Sequence, residues 1–413
     1  MIYKKDISFS FIRDVVSMYG VAAANLLLPI FFIPYASSKV GIENFGTFAV
    51  LAAFFQYGIM FVEFGTTSPL VRLLASNAAI SIFWDAVTVR FYLFIIALAA
   101  IVFIAVFLLN YNDVLVFIIG AASLLGTVFN PMAIYQAKGK LPHFSLITFV
   151  SRVIVTLFAT ALLQFKQDLW IVFAFQFLPV FIVSIISVVF LVKRNELRVK
   201  FQSGFFKNKE LSRDSISFFM GTVFSSGYTV AVPLIVNYFF GGYAAGVYGI
   251  VDRVTQPVKQ IIMPIVNIIY PKVCAVRLID RSEAIRFSVK TSLFLTGLCV
   301  LFISLALILI DYIVLYVFKN SVETQYLYPM AVNVFCVYIS QILIFLFVVP
   351  SGRGNVLKII YAWMLVFFMG SILFSIYIKS LVSVYWVLAC VELLGMLLLF
   401  FISYYSVKKN SVL

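Results

Sequence analysis

The sequence predicts an all-α polytopic membrane protein, about twelve transmembrane helices in two six-helix lobes related by a parallel pseudo-two-fold repeat. Three observations carry that expectation. Of 413 residues, 64% are hydrophobic and 11% are charged, whereas a soluble domain carries about 25% charged residues to face water. The apolar runs are long and continuous, each near the roughly 20 residues that a helix needs to cross about 30 Å of hydrocarbon. The basic residues alternate in step with those runs. Backbone groups in lipid must bond within the chain, which leaves helices or a closed barrel. Barrel strands would read as roughly ten-residue alternations, and the runs here do not alternate.

The N-terminus is short and charged (Lys4, Lys5, Asp6, Arg13, Asp14) and leads directly into apolar sequence. Ala22–Ala24 looks like a small-residue cleavage site, but the run continues to about Tyr35, so a retained first span is expected rather than a signal peptide. Spans are expected at 14–35, 46–67, 87–109, 114–137, 144–164, 169–192, 215–240, 247–270, 289–310, 327–350, 355–378 and 382–405. With the N-terminus in the cytoplasm, 23 of the 30 Lys and Arg fall on the cytoplasmic side, Arg90 among them. Lys39, Lys166, Lys319 and Lys379 fall on the opposite side, and Arg152, Arg253 and Lys259 lie within spans. A miscounted span would scramble this positive-inside alternation. Both termini are therefore expected in the cytoplasm. The net charge of +14 orients the chain beside anionic headgroups and calls for no nucleic acid.

The longest polar stretch sits at the midpoint and divides the chain into an N-lobe (1–192), a basic cytoplasmic linker (193–214) and a C-lobe (215–413). The halves echo one another. Pro29 is followed by Val40-Gly41 and Phe45-Gly46, and Pro233 by Gly241-Gly242 and Gly246-Val247-Tyr248-Gly249, with Pro-to-Gly separations of 17 and 16 residues. Each half later carries a basic glycine turn, Lys138-Gly139-Lys140 and Gly352-Arg353-Gly354. An even number of spans per half makes the repeats parallel, an arrangement that in transporters frames a substrate path.

Charges inside spans cost about 2.5–3.5 kcal/mol each on insertion scales, so they point to function. In the eighth span Asp252, Arg253, Gln256, Lys259, Gln260 and Asn267 share an arc of roughly 120°, opposite Val251, Val254, Val258, Ile261 and Ile265. Lys259 lies about 20 Å from the outer end, too deep to snorkel. Ser145, Thr148, Arg152 and Thr156 share a face of the fifth span, and Gln56 and Glu63 stack in the second. Asn130, Asn237 and Glu392 are further intramembrane polar groups. Arg13 and Arg90, near span ends, are expected to snorkel or pair internally. Three buried cations in a chain this poor in charge suit an anionic substrate, a phosphate or carboxylate. A carrier of cationic drugs would show the reverse.

Enzyme and metal signals are absent. Cys274, Cys299, Cys336 and Cys390 form no C-x-x-C or C-x-x-H pattern, which favours small buried apolar residues. No P-loop, dinucleotide fingerprint or H-E-x-x-H occurs. The single histidine, His143, falls in a cytoplasmic loop. No cofactor and no metal are expected, and transport would draw on an ion gradient, the substrate gradient or the membrane potential.

The run Leu26-Leu27-Leu28-Pro29 to Ile33-Pro34, then Val40-Gly41 to Phe45-Gly46, Glu63-Phe64-Gly65, Pro131 with Tyr135-Gln136-Ala137-Lys138-Gly139-Lys140, and Gly246-Val247-Tyr248-Gly249 resemble the Wzx-type flippases. These are the O-antigen and polysaccharide exporters of the MOP superfamily, which also holds MATE and MurJ proteins. The resemblance covers nearly the whole chain. It departs at Glu63, where members more often carry Asp. It implies flipping of an undecaprenyl-pyrophosphate-linked oligosaccharide to the outer leaflet of a bacterial inner membrane by alternating access. Arg152, Arg253, Lys259, Gln256, Gln260, Asn130 and Asn237 are then the expected substrate-binding residues. Glu63, Asp252 and Glu392 are the candidates for H+ or Na+ coupling. Expected partners are the lipid-linked oligosaccharide, membrane lipids, and a glycan polymerase and chain-length regulator of the same pathway. The alternatives are a MATE-like exporter of a small metabolite or drug, and an integral-membrane polysaccharide polymerase or ligase; the latter should carry a large outer loop, which this chain lacks. A MurJ-type carrier would usually have fourteen spans.

Overall fold

A computed structural model describes residues 28–75, 80–108, 110–138, 140–197, 209–260, 281–317, 322–350 and 355–410, with single positions between 262 and 276. Most of the expected first span, and much of the eighth beyond Gln260 with Asn267, lie outside the described residues. The principal helices in chain order are α1 (28–40), α2 (Ile42–Glu63), α3 (Ile82–Phe103), α4 (Val114–Val128), α5 (Leu141–Phe165), α6 (Leu169–Lys193), α7 (Lys209–Phe240), α8 (Gly242–Gln260), α9 (Arg281–Ile308), α10 (Thr324–Leu343), α11 (Asn355–Ile378) and α12 (Leu381–Asn410). Among the described residues nine helices are long and apolar enough to cross a membrane, or ten if the bent pair Leu211–Phe224 and Ser226–Phe240 is one span. Those ten coincide with the expected second to seventh and ninth to twelfth spans. Within its described part, α8 is helical but is not among these candidate spans.

The described chain forms two compact units, one of residues 39–223 and one of 29–38 with 224–413. The division thus falls within α7. Each unit repeats the same neighbour pattern. In the first, α4 packs most extensively on α6, then α5 on α6, with α3 and α2 each on α4. In the second, α10 packs most extensively on α12, then α11 on α12, with α9 and α8 each on α10. Local features repeat as well. Gly41 (φ 86°) and Gly241 (φ 88°) occupy left-handed backbone before α2 and α8, a conformation open to glycine at little cost. Each carbonyl accepts the first helical bond, from Phe45 N–H at 3.0 Å and from Ala245 N–H at 3.1 Å. In the first unit α3 gives way to a π-helical turn, Ile104–Leu108, and in the second α9 does so after a short helix, at Ile313–Val317.

Lipid offers no hydrophobic gain for bringing helices together, so close approach depends on small residues and dispersion. A Cβ on Gly126 of α4 would lie 2.7 Å from the Phe181 backbone of α6, so the glycine lets those backbones meet. At Gly120 the Phe55 ring fills the space a side chain would need. Phe48, Phe55, Phe173 and Phe177 form an aromatic cluster between α2 and α6, with centroids 4.6 Å apart for Phe173–Phe177 and 5.3 Å for Phe55–Phe173. The outer faces are apolar instead, as at Phe91, Tyr92, Ile95 and Ile96 on α3 and Leu293, Phe294 and Leu301 on α9. That inside-out distribution is what a lipid-facing bundle requires.

Candidate functional site

In the first unit, α2 and α4 both end early and continue as short helices, Thr67–Ala75 and Met132–Ala137, which pack on one another. The interruption after α2 is a left-handed turn at Phe64 (φ 49°) and Gly65 (φ 61°). A side chain on Gly65 would lie 2.5 Å from Phe219 N and 2.6 Å from Ser215 O, so glycine is required there by conformation and by the close passage of α7. Each interruption frees backbone groups that need partners in a low-dielectric setting.

Arg90 of α3 serves one directly, the Asn130 carbonyl, and another through Thr66. It is 1% exposed. Its Nε donates to Thr66 Oγ1 at 2.7 Å, Nη2 to Thr67 Oγ1 at 3.3 Å and Nη1 to the Asn130 carbonyl at 3.5 Å. Thr66 Oγ1 donates in turn to the Glu63 carbonyl at 2.6 Å, and Asn130 Oδ1 accepts from Met132 N–H at 3.0 Å. The Glu63 side chain lies within electrostatic reach of the guanidinium. A fork of five donors can join three acceptors on two chain segments, where an ammonium could not hold the same geometry. Arg90 therefore does not snorkel at a span end. The expected span began at residue 87, but α3 begins at Ile82, which carries Arg90 about two turns into the helix.

In the second unit, α8 is amphipathic. Val247, Ile250, Val251 and Val254 are buried, while Asp252, Arg253, Gln256 and Lys259 are partly exposed and Gln260 is exposed. Gln256 Nε2 donates to Asp252 Oδ1 at 3.2 Å, one turn apart, and Asp252 is the charged neighbour of Arg253. The last carbonyls of α8 are held from α10. Tyr338 Oη donates to Val258 O, and Gln341 Nε2 donates to Lys259 O at 3.4 Å. Beneath the polar face, Tyr248 packs on Tyr385 at 5.6 Å and Tyr385 on Tyr326 at 5.2 Å.

Glu392 of α12 accepts from Tyr228 Oη of α7 at 2.5 Å. Lys259 and Tyr361 lie within electrostatic reach of that carboxylate. Of the expected site residues, then, Glu63 and Asn130 gather at Arg90, Asp252 joins Gln256 and Arg253, and Lys259 neighbours Glu392. Arg152 stands apart on α5, partly exposed, with no hydrogen-bond or ion-pair partner for its side chain among the described residues. Asn237, near the end of α7, is partly exposed and its carbonyl accepts from Gly241 N–H at 3.1 Å. Arg90, expected to snorkel or pair internally, pairs internally; Thr66, Tyr228 and Tyr338 were not anticipated. The available signal was an arginine or a tyrosine deep within an apolar run, which needs a polar partner.

Outside the spans, Glu196 accepts from Lys140 Nζ at 2.7 Å and from Lys138 Nζ at 2.9 Å. Those bonds hold its carboxyl well below the usual range, at about 2. Among the described residues no group of three or more His, Cys, Asp or Glu side chains could hold a metal ion.

Known proteins resemble this chain in sequence and in fold. Residues 11–274 match the family described as "Polysaccharide biosynthesis protein". A protein of Escherichia coli (strain K12) named "Putative O-antigen transporter" is 24% identical over 279 residues, 66% of this chain and 67% of its own length. One of the same name from Shigella dysenteriae is 22% identical over 384 residues, covering 90% of this chain and 93% of that protein. Among solved structures, an inward-facing multidrug resistance MATE family transporter of the MOP superfamily superposes with a TM-score of 0.61 at 13% identity, over 95% of this chain and 94% of that one. A MOP superfamily transporter from Pyrococcus furiosus Vc1 gives 0.50 at 13% identity, over 96% and 95%. The fold is MATE-like over nearly the whole chain, and by sequence the protein belongs to the polysaccharide biosynthesis protein family.

Proposed function

We propose that this protein is a non-enzymatic carrier of the bacterial inner membrane. It flips undecaprenyl-pyrophosphate-linked repeat units of O-antigen or another polysaccharide from the cytoplasmic to the periplasmic leaflet by alternating access. The observation that carries the reading is the likeness to O-antigen transporters across 90% of the chain, in a protein whose α8 presents Arg253 and Lys259 on a partly exposed face. A pyrophosphate needs cations held where water is scarce, and a sugar needs amide and hydroxyl partners. Arg152, Arg253 and Lys259 serve the first need; Gln256, Gln260, Asn130 and Asn237 serve the second. Glu63, Asp252 and Glu392 are the groups that would exchange H+ or Na+. A glycan polymerase and chain-length regulator would receive the product.

The test is leaflet accessibility of a lipid-linked repeat unit in proteoliposomes, followed with a membrane-impermeant glycosidase. Arg152→Ala combined with Lys259→Ala should lower the translocation rate about tenfold or more. An unchanged rate in that double variant would remove the cationic path from the account. The MATE-like fold favours a second reading, export of a small metabolite or drug. Drug-dependent growth protection with no lipid-linked sugar movement would select it.

A further inference from the structure

Lys138 and Lys140 have no part in the function proposed above. The two lysines converge on one carboxylate from a distant part of the chain. Lys140 Nζ meets Glu196 Oε1 at 2.7 Å and Lys138 Nζ meets Oε2 at 2.9 Å. Each oxygen of Glu196 thus faces its own ammonium, the spacing that two oxygens of a phosphate would also offer.

Both sides of this clamp are mounted on buried structure. Lys138 N–H bonds to Ile134 O at 3.1 Å and Lys140 N–H to Tyr135 O at 2.8 Å. Tyr135, itself buried, donates to Ser187 O of α6 at 3.1 Å. Glu196 is aimed by a left-handed residue, Asn195 (φ 55°). That turn lets Glu196 N–H bond back to Leu191 O at 2.9 Å and places Leu197 in the interior at 1% exposure. The charge is unbalanced. Lys193 and Arg194, shortly before Glu196 in the chain, are exposed as well, so the two segments carry four cations and one carboxylate. Exposed ion pairs of this kind contribute little to stability, so a doubly charged ligand can displace Glu196 at small cost.

We infer that Lys138 and Lys140 form a phosphate-recognition site at the cytoplasmic end of the first unit, where Glu196 stands in for the ligand and yields to the pyrophosphate headgroup of an arriving lipid. The identity of that lipid rests on the function proposed above. Recognition of pyrophosphate by the lysine pair does not. Glu196 keeps the site from capturing singly charged phosphodiesters of bulk lipid, since only the more highly charged headgroup competes well with a carboxylate held by two ammoniums.

The experiment uses the full chain purified in detergent, with inorganic pyrophosphate as the calorimetric probe and native mass spectrometry to count retained phosphatidylglycerol. Lys138→Gln with Lys140→Gln should weaken pyrophosphate binding about tenfold, whereas Lys140→Arg alone, which keeps both charges, should leave it largely unchanged. Glu196→Gln should tighten binding about threefold or more and raise phosphatidylglycerol retention, because the competing charge is gone. Equal pyrophosphate affinity in the wild type, Glu196→Gln and the lysine double variant, with thermal midpoints confirming that all are folded, overturns the proposal. So does a gain in phosphatidylglycerol retention with no change for pyrophosphate. Loss of lipid-linked sugar movement in the wild type, with the pyrophosphate series as expected, would sink the flippase reading and leave this site standing.

Discussion

In the first unit, the carbonyl freed where α4 ends, that of Asn130, is held by a buried arginine from α3. In the second, the carbonyl of Leu346, in the π-helical turn that follows α10, is held by a serine from α9, Ser288 Oγ at 3.1 Å. Both units meet the same backbone need from the same neighbouring helix. The difference lies in what accompanies the donor. A guanidinium must be surrounded by acceptors, so Arg90 draws in Thr66, Thr67 and the nearby charge of Glu63, and it joins the ends of two helices into one polar knot. A hydroxyl asks for nothing more, and Ser288 makes one bond. The second unit instead carries its charge on α8, where Asp252, Arg253 and Lys259 remain partly exposed. A repeated architecture has been given a locked polar centre in one copy and an open polar face in the other.

The contrast can be broken most directly at its centre. Arg90→Leu should destabilise the protein by about 3–5 kcal/mol, since it leaves the Asn130 carbonyl and Glu63 without their partner, whereas Ser288→Ala should cost about 1 kcal/mol. Thermal or denaturant unfolding in detergent measures both, and similar losses would mean that the two units are held alike. A second asymmetry concerns glycine. Gly65→Ala should cost about 2–4 kcal/mol, because a methyl there meets backbone and the residue keeps a positive φ. Gly41→Ala and Gly241→Ala meet nothing within 4 Å, so each should lose only the conformational part, about 1 kcal/mol. Unequal losses at Gly41 and Gly241 would argue against an equivalent role in the two copies.

The smallest effect is in the pH dependence of the first unit. Glu196 has a folded-state pKa of about 2, below the roughly 4.3 of a free glutamate. A lowered carboxylate contributes stability that is fully present above the unfolded value and disappears as pH falls through the folded one. Between about pH 4 and pH 2, Glu196→Gln should therefore lose part of the wild-type acid sensitivity. Superimposable midpoint-versus-pH curves would show that the clamp adds nothing to folding.

Much of the architecture was legible in advance. Hydropathy and basic residues located the ten described spans, with ends off by up to about seven residues where the ninth begins at Ser282 rather than 289, since the bilayer fixes the length of an apolar run and the charge at its ends. The amphipathic pattern of the eighth span separated Val251 and Val254 from Asp252, Arg253 and Lys259, and the buried and exposed faces of α8 follow that line. The site was less legible where it rests on pairs far apart in the chain. Arg90 reads as near a span end because the expected span starts at residue 87, whereas α3 starts at Ile82. Nothing in the sequence joins Tyr228 to Glu392, 164 positions away, or selects Glu196 as the partner of both Lys138 and Lys140.

By itself the sequence determined a helical bundle for lipid and the polar face of α8, because each depends on periodicity and charge within one helix length. Only the tertiary structure decided which helix ends share a donor, which carboxylate answers which cation, and that Arg90 lies inside rather than at the rim. Those outcomes depend on helices distant in sequence reaching hydrogen-bond range, where burial makes an unpartnered charge or carbonyl expensive and so selects one pairing.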